Sequence, residues 1–259
     1  MIHDIRRGSG RNLLLIHGLG ATLRSWDPIL APLAAKRSVI AIDLPGHGQS
    51  PAERDSGTFA GLADSVERYI QDQGLGRIDV VGSSLGARIA LELARRGTAE
   101  SVVALDPGGF WEGWERPFFK ATISASVGLL KALRPALPSI CSTAVGRTAL
   151  LAQLSARPWA LDGAMVSDEL RHFATTPTVP SLIRDLADGP GQKGPAADGS
   201  GPVVIGWGRH DRLCFPQQAG RACAAFPSAR MHWFEHSGHF PMWDEPEEAL
   251  KVIFETTGG

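Results

Sequence analysis

Gly82-Ser83-Ser84-Leu85-Gly86 is the stretch that decides the fold of this chain, because of what lies on either side of it. The apolar run Ile78-Asp79-Val80-Val81 precedes it and predicts a short buried strand. Apolar residues at helical spacing follow it from Leu85 to Arg96, and Gly97 is placed to end that helix. The sequence therefore predicts a sharp turn from a strand into a helix, with a serine at the turn.

A serine in this position matches the pattern G-x-S-x-G, in which the hydroxyl projects above a sheet. Gly82 and Gly86 permit tight backbone angles and leave room beside Ser84. The serine then lies at the N-terminus of a helix, whose dipole favours developing negative charge. We therefore predict that Ser84 is a nucleophile.

An aspartate and a histidine follow two later strands. Val203-Val204-Ile205-Gly206-Trp207 predicts a strand, and Gly208-Arg209-His210-Asp211 comes directly after it. Met231-His232-Trp233-Phe234 predicts the last strand and leads into Ser237-Gly238-His239. Active sites of parallel sheets lie at the carboxyl ends of the strands, so we expect this aspartate and this histidine near the serine.

These residue types suit nucleophilic catalysis. A serine hydroxyl needs a base within hydrogen-bond reach, and the base needs a partner that orients it. His239 is the candidate base and Asp211 the candidate orienting acid. Asp106, at the end of the predicted strand Val102-Val103-Ala104-Leu105, is the alternative acid.

Two further segments complete a known pattern. The apolar run Leu13-Leu14-Leu15-Ile16 is followed by His17-Gly18-Leu19-Gly20, and the next strand leads into Asp43-Leu44-Pro45-Gly46-His47-Gly48-Gln49-Ser50. With these segments and the chain order Ser, Asp, His, the chain resembles the α/β-hydrolase superfamily from about Ile2 to Phe254. The resemblance implies an α/β fold with a mostly parallel sheet flanked by helices and an inserted helical cap. It also implies a serine carboxylesterase-like member.

The resemblance implies catalytic and structural roles for particular residues. Asp211 matches the commoner position of the acid in the superfamily and is therefore favoured over Asp106. The backbone N–H groups of Leu19 and Leu85 would form the oxyanion hole. His17 would brace its loop rather than react.

The interval between the strand that ends at Leu105 and the strand at Val203 is too long for a simple crossover. We predict a catalytic core over residues 1–109 and 202–259, and a helical cap insertion over residues 110–201. Its Gly- and Pro-rich end, Asp188 to Pro202, is expected to be a mobile exit from the cap. Five aromatic residues at the entry to the insertion are predicted to line the substrate pocket: Phe110, Trp111, Trp114, Phe118 and Phe119.

Periodicity predicts the remaining elements. An edge strand is expected over Ile2–Arg6 and an inner strand over Val39–Ile42. Helices are expected in the core over Ser25–Ala35, Phe59–Gln73, Pro216–Ala225 and Pro246–Phe254, and in the insertion over Ala121–Leu133, Thr143–Leu154 and Met165–Thr175. Strands that alternate with helices predict a parallel sheet covered on both faces.

Composition narrows the function classes. A net charge of −1 implies no general affinity for nucleic acid or for an anionic membrane, and we expect neither as a partner. The three cysteines lack metal-ligand spacing and fit reduced thiols in a cytosolic protein. The first residues lack an apolar signal core, and no apolar run approaches membrane-spanning length. We predict a cytoplasmic protein that uses no metal and no organic cofactor.

The sequence thus predicts a Ser-His-Asp hydrolase that cleaves carboxylic esters of small to medium, largely apolar substrates through an acyl-enzyme. The alternative enzymes are a carbon–carbon bond hydrolase of the meta-cleavage-product type and an acyl-homoserine lactonase. A ligand receptor that retains the fold is the alternative outside the enzymes. Hydrolysis of p-nitrophenyl esters over many cycles would separate an enzyme from a receptor.

Overall fold

Seven strands form one sheet in the computed structural model, which describes residues 1–258. They are β1 (Asp4–Arg7), β2 (Asn12–Ile16), β3 (Ser38–Ile42), β4 (Ile78–Ser83), β5 (Ala99–Leu105), β6 (Val203–Gly208) and β7 (Arg230–Phe234). Their order in the sheet is β1-β3-β2-β4-β5-β6-β7. Only β1 is antiparallel to its neighbour, with Asp4 opposite Ile42. This is the mostly parallel α/β sheet that the sequence predicts, and the expected edge strand is confirmed as β1.

The helices follow the strands along the chain. They are α1 (Asp27–Ala34), α2 (Phe59–Asp72), α3 (Leu85–Arg96), α4 (Glu115–Leu133), α5 (Leu137–Cys141), α6 (Ala144–Leu151), α7 (Gly163–Thr175), α8 (Val179–Asp188), α9 (Gln218–Ala225), α10 (Pro241–Asp244) and α11 (Pro246–Thr257). Local signals set several ends: the Thr58 hydroxyl accepts from the N–H of Gly61 at the start of α2, and Gly97 ends α3 with φ of 77°.

Apolar side chains cover both faces of the sheet, because successive residues of a strand point to opposite sides. Leu14 and Ile16 of β2 belong to the core beneath α2 and α3. Leu13 and Leu15 belong to the core beneath α1 and α11. All four are fully buried, and each such side chain stabilises the fold by about 1.5–3 kcal/mol. The central strands are therefore continuous apolar runs rather than alternating ones.

Five helices, α4 to α8, lie between β5 and β6, and we call them the inserted helices. They enclose a small core of their own, formed by Leu130, Leu137, Cys141, Leu151, Val166, Leu170 and Ala174. The three helices expected here are confirmed as α4, α6 and α7, although α4 begins earlier than predicted, at Glu115. Helix α8 is not among the helices expected from the sequence. Pro180 is accommodated because the first turn of a helix needs no donor from it.

The stretch from Gly189 to Pro202 forms no helix or strand, and hydrogen bonds join it to the core. The N–H of Ala197 donates to the carbonyl of Ala94 on α3 at 3.0 Å. The N–H of Gly201 donates to the carbonyl of Glu100 on β5 at 2.9 Å. These hydrogen bonds hold the segment that follows the inserted helices against α3 and β5. None of the helices within residues 1–258 combines the length and the apolar character needed to cross a membrane.

Candidate active site

Ser84 lies at the turn between β4 and α3, with φ of 55° and ψ of −112°, a strained backbone conformation for a residue with a side chain. The flanking glycines explain how the turn closes. A Cβ at Gly82 would lie 2.2 Å from the carbonyl oxygen of Gly86, and a Cβ at Gly86 would lie 2.1 Å from that of Ile16. Neither position can hold a side chain, so both glycines of the motif are required by packing. The strand, turn and helix predicted around the serine are all present.

His239 and Asp211 are in direct contact. Nδ1 of His239 lies 2.7 Å from Oδ2 of Asp211, which suits a ring N–H that donates to the carboxylate. Oδ1 of Asp211 accepts from the backbone N–H groups of Leu213 at 2.7 Å and Cys214 at 3.0 Å. Both partners are buried, and Nε2 of His239 has no hydrogen-bond partner among residues 1–258. The pair therefore leaves one ring nitrogen available to accept a proton.

Asp106, the alternative acid, occupies the end of the neighbouring strand β5 and does not contact His239. Its Oδ1 accepts from the N–H of Gly208 at 2.8 Å, while its Oδ2 is buried without a hydrogen-bond partner. Burial, and then the nearby charge of Asp211, raise the pKa of Asp106 well above its usual value. Both effects favour the protonated form of Asp106, beside the carboxylate that holds the histidine.

Ser84 and His239 line the same cavity, whose volume is about 100 Å³. Leu19 and Leu85, the predicted oxyanion residues, also line it. The N–H of Leu85 begins α3 and has no partner within the helix. A Cβ at Gly18 would lie 3.3 Å from the Cβ of Ser84, so the Gly18–Leu19 loop closes against the serine. The structure thus gathers all five predicted catalytic and oxyanion residues at the carboxyl edge of the sheet.

His17 holds the loop that carries Leu19. Its Nε2 accepts from the N–H of Leu44 at 2.9 Å, and its Nδ1 lies 2.7 Å from the carbonyl oxygen of Gly18. Burial lowers the pKa of His17, which favours the neutral ring that this arrangement needs. These contacts join the loop after β2 to the loop after β3.

Two of the five aromatic residues predicted for the pocket line this cavity. Trp111 and Phe119 do so, with their rings stacked 4.7 Å apart between centroids. The prediction is corrected for the other three: Phe118 lies on a face of α4 that turns away from the cavity, whereas Phe110 and Trp114 precede this helix and pack elsewhere. Phe110 packs on Trp207 in the core, and Trp114, which is 59% exposed, packs with Phe118 and Phe215 outside the cavity.

Sequence reasoning missed most of the apolar wall. The inserted helices supply Ile123, Leu130, Leu150, Leu151, Leu170, Phe173 and Leu186, and the loop after α6 supplies Leu154. A signal was available on α4, where Phe119, Ile123 and Leu130 recur at helical spacing on one face. Which face of each helix looks into the cavity depends on how the helices pack.

Two ionisable residues of the cavity wall were also missed. Arg88 lies one turn after the serine on α3, and burial lowers its pKa to about 10. Glu169 lies on α7, where its Oε1 accepts from the Ser25 hydroxyl at 2.9 Å. Burial raises the pKa of Glu169 to about 8, so its carboxyl group is mostly protonated at neutral pH.

One group of potential metal ligands occurs within residues 1–258, and it is made of Asp211, Cys214 and His239. Their ligand atoms lie within 4.8 Å of one another. The donor set suits a metal poorly, because the carboxylate already accepts three hydrogen bonds. Burial also raises the pKa of the Cys214 thiol well above its usual value, which disfavours the thiolate that a metal would bind. Independence from a metal stays a prediction.

Comparisons with known proteins found relatives along nearly the whole chain. A model of the alpha/beta hydrolase family matches residues 13–252. An uncharacterized protein of Mycobacterium tuberculosis is 30% identical over 273 residues, which cover 97% of this chain and 78% of the relative. A 2-hydroxy-6-oxononadienedioate/2-hydroxy-6-oxononatrienedioate hydrolase of Cupriavidus pinatubonensis is 23% identical over 276 residues, which cover 99% of this chain and 90% of that hydrolase.

Solved structures share the fold. An esterase from Exiguobacterium antarcticum is similar with a TM-score of 0.78 at 18% identity, covering 100% of this chain and 96% of the esterase. The enol-lactonase from Burkholderia xenovorans LB400 is similar with a TM-score of 0.74 at 20% identity, covering 98% of this chain and 95% of the lactonase. At these identities the likeness shows a common architecture.

Proposed function

Since the chain belongs to the alpha/beta hydrolase family, we propose that it is a serine hydrolase that cleaves carboxylic esters of small to medium, largely apolar substrates. One observation carries the proposal. Ser84 and His239 line a single cavity, Nε2 of His239 has no hydrogen-bond partner within residues 1–258, and the other ring nitrogen lies 2.7 Å from Asp211.

In the proposed reaction Ser84 attacks the ester carbonyl carbon while Nε2 of His239 takes the hydroxyl proton. Asp211 holds the ring in the required tautomer and stabilises the imidazolium that forms. The N–H groups of Leu19 and Leu85 donate to the oxyanion of the tetrahedral intermediate. Histidine then returns the proton to the departing alkoxide, which leaves an ester between the acyl group and Ser84.

Water completes the cycle by the same chemistry. His239 removes a proton from the water molecule as its oxygen attacks the acyl-enzyme, and the proton passes to the Ser84 oxygen when the acid leaves. The apolar wall supports this step because it limits the access of bulk water and strengthens the electrostatic interactions inside the cavity.

The dimensions of the cavity support a small substrate. Its volume of about 100 Å³ is well below the roughly 300–1,000 Å³ of pockets for drug-sized ligands. Residues 110–201, which include the inserted helices, would act as a cap that covers the acyl chain. We expect activity on short-chain esters to exceed activity on long-chain ones.

The test uses matched serine variants. Ser84→Ala should lower kcat by about 10⁴-fold or more and abolish labelling by a fluorophosphonate. Ser83→Ala is the control, because Ser83 is the adjacent buried serine and its hydroxyl has no hydrogen-bond partner to lose. It should keep both activity and label. Labelling at a residue other than Ser84, or normal turnover by Ser84→Ala, would refute the nucleophile.

A panel of substrates separates the related activities. Short p-nitrophenyl esters, an acyl-homoserine lactone and a meta-cleavage dienoate should be compared with the same enzyme sample. We expect many turnovers on the esters and the highest kcat/KM there. A preference for the dienoate or the lactone would assign the chain to one of those hydrolases instead, and a single turnover would favour a receptor.

A further inference from the structure

Arg88 is a buried cation in the wall of the cavity that holds Ser84 and His239. Its backbone N–H donates to the carbonyl of Ser84 at 3.0 Å, one helical turn away. The residue is 2% exposed. Although burial lowers its pKa to about 10, the guanidinium keeps its charge at neutral pH. A permanently charged side chain therefore belongs to the wall of the cavity that the nucleophile also lines.

No carboxylate within residues 1–258 forms an ion pair with Arg88. Asp185 and Glu92 are the acids whose charges act on it, and both have other partners. Asp185 accepts from the backbone N–H of Phe59 at 2.7 Å, and Glu92 is paired with Arg95 at 2.7 Å. The charge of Arg88 is thus uncompensated by direct contact.

The other fully buried arginine of the chain offers a comparison. Arg37 is 1% exposed, and it pairs with Asp79 at 2.5 Å. A buried charge without a partner is costly, because the protein interior solvates it poorly. Asp79 neutralises the charge of Arg37 inside the protein, whereas Arg88 lines a cavity that a ligand could occupy.

The guanidinium of Arg88 is held in place with one nitrogen to spare. Nε donates to Oε1 of Gln192 at 3.3 Å, and Nη2 donates to the carbonyl of Pro190 at 2.7 Å. The ring of Phe59 covers one face, 3.9 Å from Cζ to the ring centroid. Nη1 donates to no protein atom within residues 1–258. This orientation costs little further entropy when an anion binds.

The remaining ionisable groups of the cavity do not balance this charge. The raised pKa of Glu169, about 8, keeps most of its carboxyl groups neutral at pH 7, and the raised pKa of Cys214 keeps its thiol neutral. His239 is already paired with Asp211. The rest of the wall is mostly apolar, so the cavity presents one uncompensated positive charge.

We infer that the ester substrate carries a carboxylate, separate from the ester group, and that Arg88 binds this carboxylate. The inference rests on the proposed ester hydrolysis and narrows its substrate class to monoanionic esters. A carboxylate oxygen would accept from Nη1 in a charge-assisted hydrogen bond, which is stronger than a bond between two neutral groups. The apolar wall would enclose the carbons between the two functional groups.

The test compares esters that differ only in one terminal group. Monomethyl adipate has a carboxylate where methyl hexanoate has a methyl, which places the charge on the acyl side. The ester 4-acetoxybutanoate differs from butyl acetate in the same way, with the charge on the alcohol side. Hydrolysis is followed by titration at constant pH. In at least one pair, Arg88→Gln should lower the ratio of kcat/KM for the anionic over the neutral ester by roughly 10- to 100-fold.

A matched variant removes an arginine charge outside the cavity. Arg95→Gln does so on the same helix, and it should leave the substrate ratio unchanged because Arg95 does not line the cavity. If Arg88→Gln lowers kcat/KM equally for both esters of each pair, Arg88 only braces the chain and the inference is wrong. Because both substrates are measured on one protein sample, a partial loss of folded enzyme lowers both rates equally and leaves the ratio unchanged.

A binding measurement distinguishes this inference from the proposed function. Ser84→Ala should bind monomethyl adipate or 4-acetoxybutanoate in calorimetry, and adding Arg88→Gln should weaken that binding roughly 10- to 100-fold. Equal binding by the single and double variants would overturn the role of Arg88. Absence of ester hydrolysis by the native protein, with carboxylate binding intact, would overturn the proposed reaction and leave the anion site standing.

Discussion

Glu169→Gln should stabilise the protein, and the gain should grow with pH. Glu169 is 8% exposed, and burial raises its pKa from the usual 4.5 to about 8, with smaller contributions from the charges of Asp168 and Asp27. At a pH between 4.5 and about 8, Glu169 keeps its proton in the folded protein and has released it in the unfolded chain. The stability contributed by this group is therefore fully present below about pH 4.5 and is lost as pH rises toward 8.

The size of the effect follows from the pKa difference. Each pH unit between the two values costs the native protein about 1.4 kcal/mol, which amounts to about 4–5 kcal/mol by pH 8. Glutamine has the same shape and no proton to release, and its side-chain oxygen can still accept from the hydroxyl of Ser25. The variant therefore keeps the hydrogen bond from Ser25, and its free energy of unfolding does not fall with pH at this position.

Urea unfolding at pH 5, 6, 7 and 8 measures the difference in the free energy of unfolding between variant and native protein. Groups other than Glu169 titrate in both proteins and cancel from the difference. Glu255→Gln is the control, because Glu255 is 51% exposed and its removal should give a small, nearly pH-independent change. A Glu169→Gln difference that stays constant from pH 5 to 8, or that grows on acidification, would refute a buried, protonated Glu169.

Two further predictions concern catalysis and selectivity. Asp211→Asn should lower kcat by about 10⁴-fold, because His239 would then be held in the wrong tautomer. Asp106→Asn should lower kcat far less. Kinetics that rank the two variants the other way would assign the catalytic acid to the end of β5. Across p-nitrophenyl acetate, butyrate, hexanoate and decanoate, kcat/KM should rise roughly three- to fourfold per methylene until the cavity is full and then fall. Trp111→Ala should shift this profile toward longer chains and Trp114→Ala should not, since only the first lines the cavity; equal shifts would contradict the assigned wall.

Elements with strong local signals could be predicted from the residues alone. Short apolar runs rich in β-branched or leucine side chains and bounded by turn residues are typical of inner parallel strands, as in β2 and β4. The glycines around Ser84 are needed because the turn leaves no space for a Cβ at either position. The order of serine, aspartate and histidine after successive strands placed them at one edge, since parallel strands share their carboxyl end.

Which groups meet at that edge depends on long-range packing. Asp106 and Asp211 follow neighbouring strands and have similar local sequence signals, so their different contacts with His239 depend on the loop geometry beyond each strand. The aromatic residues of the insertion are divided among wall, core and surface by the packing of α4 and of the segment that precedes it. The burial of Arg88 and Glu169 in one cavity arises from segments far apart in the chain, and burial is what sets the charge of each group. Such long-range packing leaves no periodic trace in the residues themselves.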